Sequence, residues 1–211
     1  MTIDLSNRTL GALAVAALAA TVLIAANEPA NKTNVAAAES EVAFVVDQPT
    51  ELLHETLRVS KPQDLILAVT AECSILSEIT TVGNDTASTN GQLRLYITID
   101  GQHVPVSDAD KDAGRVVFCD REYQRTTSLF DDPDATIEDY LATRSANAFN
   151  WVVLGAGHWD ADGDGLLDVT VWAEYDETNV GEESDSTGVI GNRTLIIQPT
   201  HAKNSETLGS D

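Results

Sequence analysis

Apolar and polar residues alternate with a period of two over most of the chain beyond residue 41. Leu93, Leu95, Ile97 and Ile99 share one face of an expected strand, and Arg94, Tyr96, Thr98 and Asp100 share the other. Asp100-Gly101 follows at once, a dipeptide suited to a tight hairpin because both residues accept positive φ. Leu65, Leu67, Val69, Ala71 and Cys73 alternate in the same way, with Ile66 and Ala68 leaving their other face only partly polar. Leu167, Val169, Val171, Ala173 and Tyr175 make a third such face. Shorter strands are expected at 42–46, 56–59, 103–106, 115–118, 149–154 and 194–198. About nine short strands separated by Gly, Asn, Asp and Pro turns predict an all-β fold, a single β-sandwich of the immunoglobulin-like or jelly-roll-like kind. One interruption is expected. Asp132 as N-cap, Pro133 at the first helical position and the apolar Ile137, Tyr140 and Leu141 predict a short helix over 133–144 in a crossover. No internal repeat is visible.

The N-terminal part follows another pattern. Leu10 to Ala26 is a run of 17 uncharged residues, with Arg8 before it and Glu28 after it. As an apolar helix it would reach roughly 25 Å, just short of a bilayer core. The charge order keeps its N-terminus in the cytoplasm, so residues 1–26 read as a secretory signal or an uncleaved membrane anchor. Residues 27–40, rich in Ala, Asn, Pro and Thr, read as a linker, 41–200 as the sandwich domain and 201–211 as a polar tail. Both versions of the leader place the domain outside the cytoplasm, on the cell surface or in the extracellular space, with a membrane contact only if the leader is retained.

Composition changes this picture in one respect. The 211 residues carry 34 Asp and Glu against 12 Lys and Arg, a net charge of −22. Such a surface excludes phosphate-backbone binding, hence nucleic acid, and a polybasic membrane patch. With 20 Asp, 22 Thr and only 4 Lys, it suits salty surroundings, where screening removes much of the self-repulsion. Cys73 and Cys119, both at expected strand ends, predict a structural disulfide in an exported chain.

The densest chemistry lies in Asp160-Ala-Asp162-Gly-Asp164-Gly165-Leu-Leu-Asp168. Alternate carboxylates at its first, third and fifth positions can converge on one hard cation, and Gly165 permits the sharp bend this needs. The loop resembles the calcium loops of thrombospondin type-3, dockerin and FG-GAP proteins, in which DxDxDG recurs. That resemblance covers about a dozen residues and implies calcium (Ca2+) binding rather than a fold. It implies ligation by Asp160, Asp162 and Asp164, by the carbonyl of Leu166, and by Asp168 directly or through water. Val171 stands where an EF-hand has its bidentate Glu, so a distant carboxylate such as Asp176 or Glu183 is needed to complete the shell. The ion is expected to be structural, fixing a hairpin between 152–154 and 167–175, at an affinity of about 10⁻⁴–10⁻³ M. The bland reading is an acidic, solvated turn. A second run, Asp108-Ala-Asp110-Lys-Asp112-Ala-Gly114, has its Gly one place late and reads as a solvated loop.

Other signals are weaker. His54, His103, His158 and His201 form no metal-binding spacing, and there is no nucleophile elbow, P-loop or dinucleotide fingerprint. Trp159 and Trp172 flank the acidic loop and are candidates for stacking on a sugar ring, though covering a sheet is the commoner fate of a tryptophan. Asn7, Asn31, Asn84 and Asn192 begin N-x-S/T sequons, which are permissive only. The expectation is therefore an exported, non-enzymatic, calcium-stabilised β-sandwich with a structural or adhesive role, self-associating or meeting other surface proteins or glycans. One form of it is a filament subunit whose strand near 41–46 pairs with a neighbour's sheet edge. The alternatives are a calcium-dependent carbohydrate-binding module and, last, a secreted hydrolase using carboxylates.

Overall fold

The computed structural model describes residues 33–38, 42–45, 48–59, 63–83, 85–106, 112–128, 135–181 and 183–200. The expected leader helix and the C-terminal tail lie outside these residues. Ten strands are present: β1 (Asn34–Ala38), β2 (Ala43–Val45), β3 (Thr50–Arg58), β4 (Asp64–Val82), β5 (Thr86–Ile99), β6 (Gln102–His103), β7 (Val116–Thr126), β8 (Thr136–Val153), β9 (Leu166–Val180) and β10 (Glu183–Thr200).

They form two antiparallel sheets. Sheet one runs β1-β10-β4-β8, with β2 also on the β1 edge of β10. Sheet two runs β3-β9-β5, and β5 carries β7 and then β6 along its far side. With β1 and β2 taken as one interrupted first strand and β6 set aside, the orders are 1-8-3-6 and 2-7-4-5. Successive strands switch sheets except at the 4–5 hairpin, as they do in a jelly roll, which decides between the two sandwich types.

The period-two faces meet between the sheets. Leu65, Leu67, Val69, Ala71, Leu93, Leu95, Ile97, Ile99, Leu167, Val169, Val171 and Ala173 are all buried there. At about 25 cal/mol per Å² of apolar surface, this interior is the main driving force of the fold. Trp151 closes one end, its indole N–H donating to the Gly114 carbonyl at 3.0 Å. Tyr175 reaches across the layers, its hydroxyl donating to Ser186 Oγ at 2.6 Å. It fits because Gly91 on β5 and Gly188 on β10 offer no Cβ; a methyl at either place would run into its ring. The disulfide Cys73–Cys119 ties β4 in one sheet to β7 in the other.

Four expectations are corrected. The helix over 133–144 is absent where the structure is described: 136–144 belong to β8, which pairs without a break from Thr136 opposite Val82 to Val153 opposite Leu65. Asp132 and Pro133 lie outside the described residues. Ile137, Asp139 and Leu141 are half-buried while Glu138 and Tyr140 are exposed, so the period is two; the exposed edge of β4 supplies a partner that helix propensity does not count. Residues 34–38, assigned to the linker, form β1 against β10. Cys73 and Cys119 sit inside strands β4 and β7 rather than at strand ends. The acidic loop does not cap a hairpin either, since β8 and β9 belong to different sheets.

Candidate metal centre

The acidic loop is the crossover from β8 to β9. It leaves β8 through a 3₁₀ turn, Ala156–His158, that is pinned to β4 by the Gly155 amide donating to Asp64 Oδ1 at 2.7 Å. Gly163 and Gly165 then adopt φ of 79° and 82°, where a side chain would be strained. These two bends turn alternate aspartates to one side. Asp160, Asp162 and Asp164 bring carboxylate oxygens within 4.8 Å of one another and could hold a metal ion.

The backbone orients each of them. Asp160 Oδ1 accepts the Gly163 amide at 2.7 Å and Oδ2 the Gly165 amide at 2.9 Å. Asp162 Oδ1 accepts the Asp164 amide at 3.2 Å, and Asp164 Oδ1 the Leu166 amide at 2.7 Å. A carboxylate has about four lone-pair sites, so each keeps acceptors for a cation. Desolvation alone would raise the pKa of Asp160, but the Gly165 and Gly163 amides and smaller contributions from Asp162 and Asp164 bring it below the ordinary value. At Asp162 the Asp164 amide acts to lower the pKa, yet desolvation and the negative charges of Asp164 and Asp160 carry it above. The lowered value reflects the amides aimed at Asp160, and the raised one reflects the crowding of carboxylates at Asp162, which a cation would relieve.

The loop is stitched to two other elements. The Val59 amide at the end of β3 donates to the Gly165 carbonyl at 3.0 Å. Asp100, at the β5–β6 turn, accepts the Ala161 amide on Oδ2 at 3.2 Å and the Asp168 amide on Oδ1 at 2.9 Å. Its own amide donates to the Asp168 carbonyl at 3.0 Å. A pocket of about 240 Å³ opens between these parts, lined by Thr56, Asp100, Ala161, Asp162, Asp164, Leu166 and Asp168.

Of the expected ligands, then, three aspartates converge, and Leu166 and Asp168 line the same pocket. Asp168 Oδ1 accepts the Thr56 hydroxyl at 2.6 Å and lies 3.7 Å from His54 Nε2. Neither distant carboxylate completes the shell. Asp176 is eight positions along β9 from Asp168, about 26 Å away, and pairs with Arg94 at 2.9 Å. The backbone of Glu183 lies opposite Thr80, beyond the far end of β9. Asp100 is the residue the sequence reading missed. Asp100-Gly101 was visible as a turn, but only the sheet order shows that β5 delivers it beside the acidic loop.

The remaining candidates are dispersed. Trp159 is half-buried and packs against the core. Trp172 lies half-buried on the outer face of sheet two, its ring stacked on Tyr96 at 6.4 Å and its N–H donating to Thr98 Oγ1 at 2.9 Å. His103 packs tilted against the same tyrosine, ring centroids 4.9 Å apart. Asp108 and Asp110 of the second acidic run, His201, and the sequon residues Asn7, Asn31 and Asn84 lie outside the described residues. The carbonyl of Asp112 accepts the Arg115 amide and guanidinium, each at 3.1 Å. Asn192 donates to Glu72 Oε2 at 3.1 Å. Among the described residues no helix is long and apolar enough to cross a membrane. Comparison with protein-family models and with curated proteins finds no match.

Proposed function

We propose that the chain is an exported, calcium-stabilised jelly-roll protein of the cell surface or extracellular space, with a structural or adhesive rather than enzymatic role. The observation that carries the reading is the convergence of Asp160, Asp162 and Asp164 in a crossover tied to both β3 and the β5–β6 turn. An ion there would join three separate segments of the sandwich. All the donors are oxygens, which suits a hard cation, and a flexible glycine-bent loop suits calcium better than magnesium, which demands near-octahedral geometry. The disulfide and the apolar leader support export. A filament form is supported by the position of β1 and β2, short strands that complete the β10 edge and could complete it in a neighbour.

Thermal melts in chelator, calcium and magnesium at fixed high ionic strength test the reading. At free calcium a hundredfold above Kd the native state gains about 2.7 kcal/mol, which raises Tm by several degrees. Magnesium gives much less. Asp162→Asn or Asp164→Ala removes most of the calcium shift while the metal-free protein stays folded. Equal melts in all three conditions would reduce the loop to an acidic turn.

A second reading, a calcium-dependent carbohydrate-binding module, is favoured by one placement. Trp172 shares the outer face of sheet two with Asp168 at the pocket. A glycan array in calcium and in chelator separates the two, since calcium-dependent spots belong only to the second.

A further inference from the structure

The edges of the two sheets are not alike. Natural sandwiches blunt exposed strand edges with bulges, breaks, prolines or charges, because an unpaired row of N–H and C=O groups recruits other strands. Here β3 carries a bulge at Leu52, where Glu51 and Leu53 face consecutive residues of β9. The edge strand β7 carries one at Phe118, opposite the Leu93–Arg94 step of β5. The outer edge of β10 is covered by two short strands, Asn34–Ala38 and Ala43–Val45. β8 alone among the described edges has no bulge, break or proline, and its charges apart from Arg144 are confined to Glu138 and Asp139 at one end. It runs 18 residues in unbroken register along β4 and contains no proline or glycine. From Tyr140 to Val153 its only charged residue is Arg144, on a molecule whose net charge is −22. Residues 142–148 are exposed; β7 touches only their inner face, at Ser145 and Asn147, and among the described residues no strand pairs with the outer edge.

We infer that the free edge of β8 pairs with β8 of a second copy of this chain, antiparallel across a twofold axis at Ala146, joining the two first sheets into one. The register follows from the side chains. With Ala146 opposite itself, Tyr140 of each copy faces Val152 of the other, and both are largely exposed in the single chain, at 69% and 55%. An aromatic side chain opposite a β-branched one is a favourable cross-strand pair. Arg144 faces Ala148, Ala142 faces Asn150, and no like charges meet. Since Arg144 is the only charge of β8 between Tyr140 and Val153, this stretch adds no like-charge clash between two acidic molecules, and association strengthens with salt as their remaining repulsion is screened. This inference goes beyond the calcium reading and stands without it, since β8 enters the acidic loop only at its end.

The test is the oligomeric state of the full chain by light scattering and sedimentation, over a range of concentration and salt, in calcium and in chelator. The expected result is a monomer–dimer equilibrium that tightens with salt and persists in chelator. Two substitutions probe the register. Ala146→Arg sets two positive charges on the axis and weakens the dimer about fivefold, although it makes each copy less acidic. Within its own sheet the new guanidinium stands opposite Glu72, so the single chain stays folded. Ala148→Glu meets Arg144 of the other copy twice per dimer and tightens it about fivefold, although it makes each copy more acidic. Ala146→Cys forms a covalent dimer under mild oxidation, whereas Ala142→Cys does not. A monomer under all conditions overturns the inference. So does a dimer whose response to the two charged variants follows net charge alone, or one lost instead on removing residues 34–45.

Discussion

Asp100 holds a backbone conformation, φ 48°, that few residues without a glycine's freedom adopt, and its carboxylate spans two amides of the acidic crossover. The side chain acts as a bracket: it joins the start of the loop, Ala161, to its end, Asp168. Asp100→Ala removes both acceptors and worsens the turn, and should cost about 1–3 kcal/mol in urea unfolding without calcium. Asp100→Gly, which keeps the turn and loses only the carboxylate, should fall between the two proteins. A second residue-scale device is Glu174. Its carboxylate takes the Arg115 Nε and Nη2 hydrogens at 2.5 and 2.8 Å, and Arg115 also lies over the Tyr96 ring at 4.8 Å. The hydrogen bonds from Arg115 hold Glu174 below its ordinary value of 4.5 in spite of desolvation. A depressed folded value means that the stabilisation is complete above the unfolded pKa and fades as pH falls through the folded one. Glu174→Gln should therefore melt lower than the natural chain at neutral pH, by about 1–2 kcal/mol, and match it in strong acid. A constant gap across a Tm–pH series would assign the loss to packing instead.

At the scale of elements, the long apolar runs were legible because burial on one face imposes alternation that survives without context. Each of the nine expected strands coincides with part of an observed one. Their lengths were not legible. β4 continues from Ile75 through Ser77, Ile79 and Thr81, where small polar residues keep the period without the apolar signal. β8 was misread for the same reason, its inner face from Thr143 to Asn147 being polar. β1 was misread because Asn34–Ala38 has no intrinsic strand preference and is held by the register of β10, from Asn34 opposite Ile197 to Ala38 opposite Arg193. These strands nonetheless guard an edge. Deleting residues 34–45 exposes the outer side of β10, including its Leu195–Ile197 segment, and should lower Tm by several degrees and promote association seen in light scattering. A truncated chain whose association and melt both match those of the full chain would show that the edge needs no cover.

For the molecule as a whole, the sandwich class followed from the pattern, but the order of strands did not. Sheet order depends on long-range pairings that a single sequence does not display, and it is this order that sets Asp100 and Thr56 beside the acidic loop. The three converging aspartates were legible because their spacing is local and glycine marks the bends. Cys73 and Cys119, 46 residues apart, bridge the two sheets. In the chain-entropy model the closed loop contributes about 4 kcal/mol, so reduction should lower Tm by roughly 10 °C, with calcium held constant. An unchanged melt in reductant would leave the layers held by apolar packing alone. Tyr175 joins the same two layers by a different means, and its fit has a historical consequence. Its ring occupies the space that Gly91 and Gly188 leave open on strands of different sheets. Neither glycine can drift to a larger residue while the tyrosine stays, and loss of the tyrosine lifts the main clash at each, leaving only Ile75 close to Gly91 and Leu93 close to Gly188. Three positions far apart in the chain are thus inherited as one character, and in descendants of this sequence they should change together or not at all.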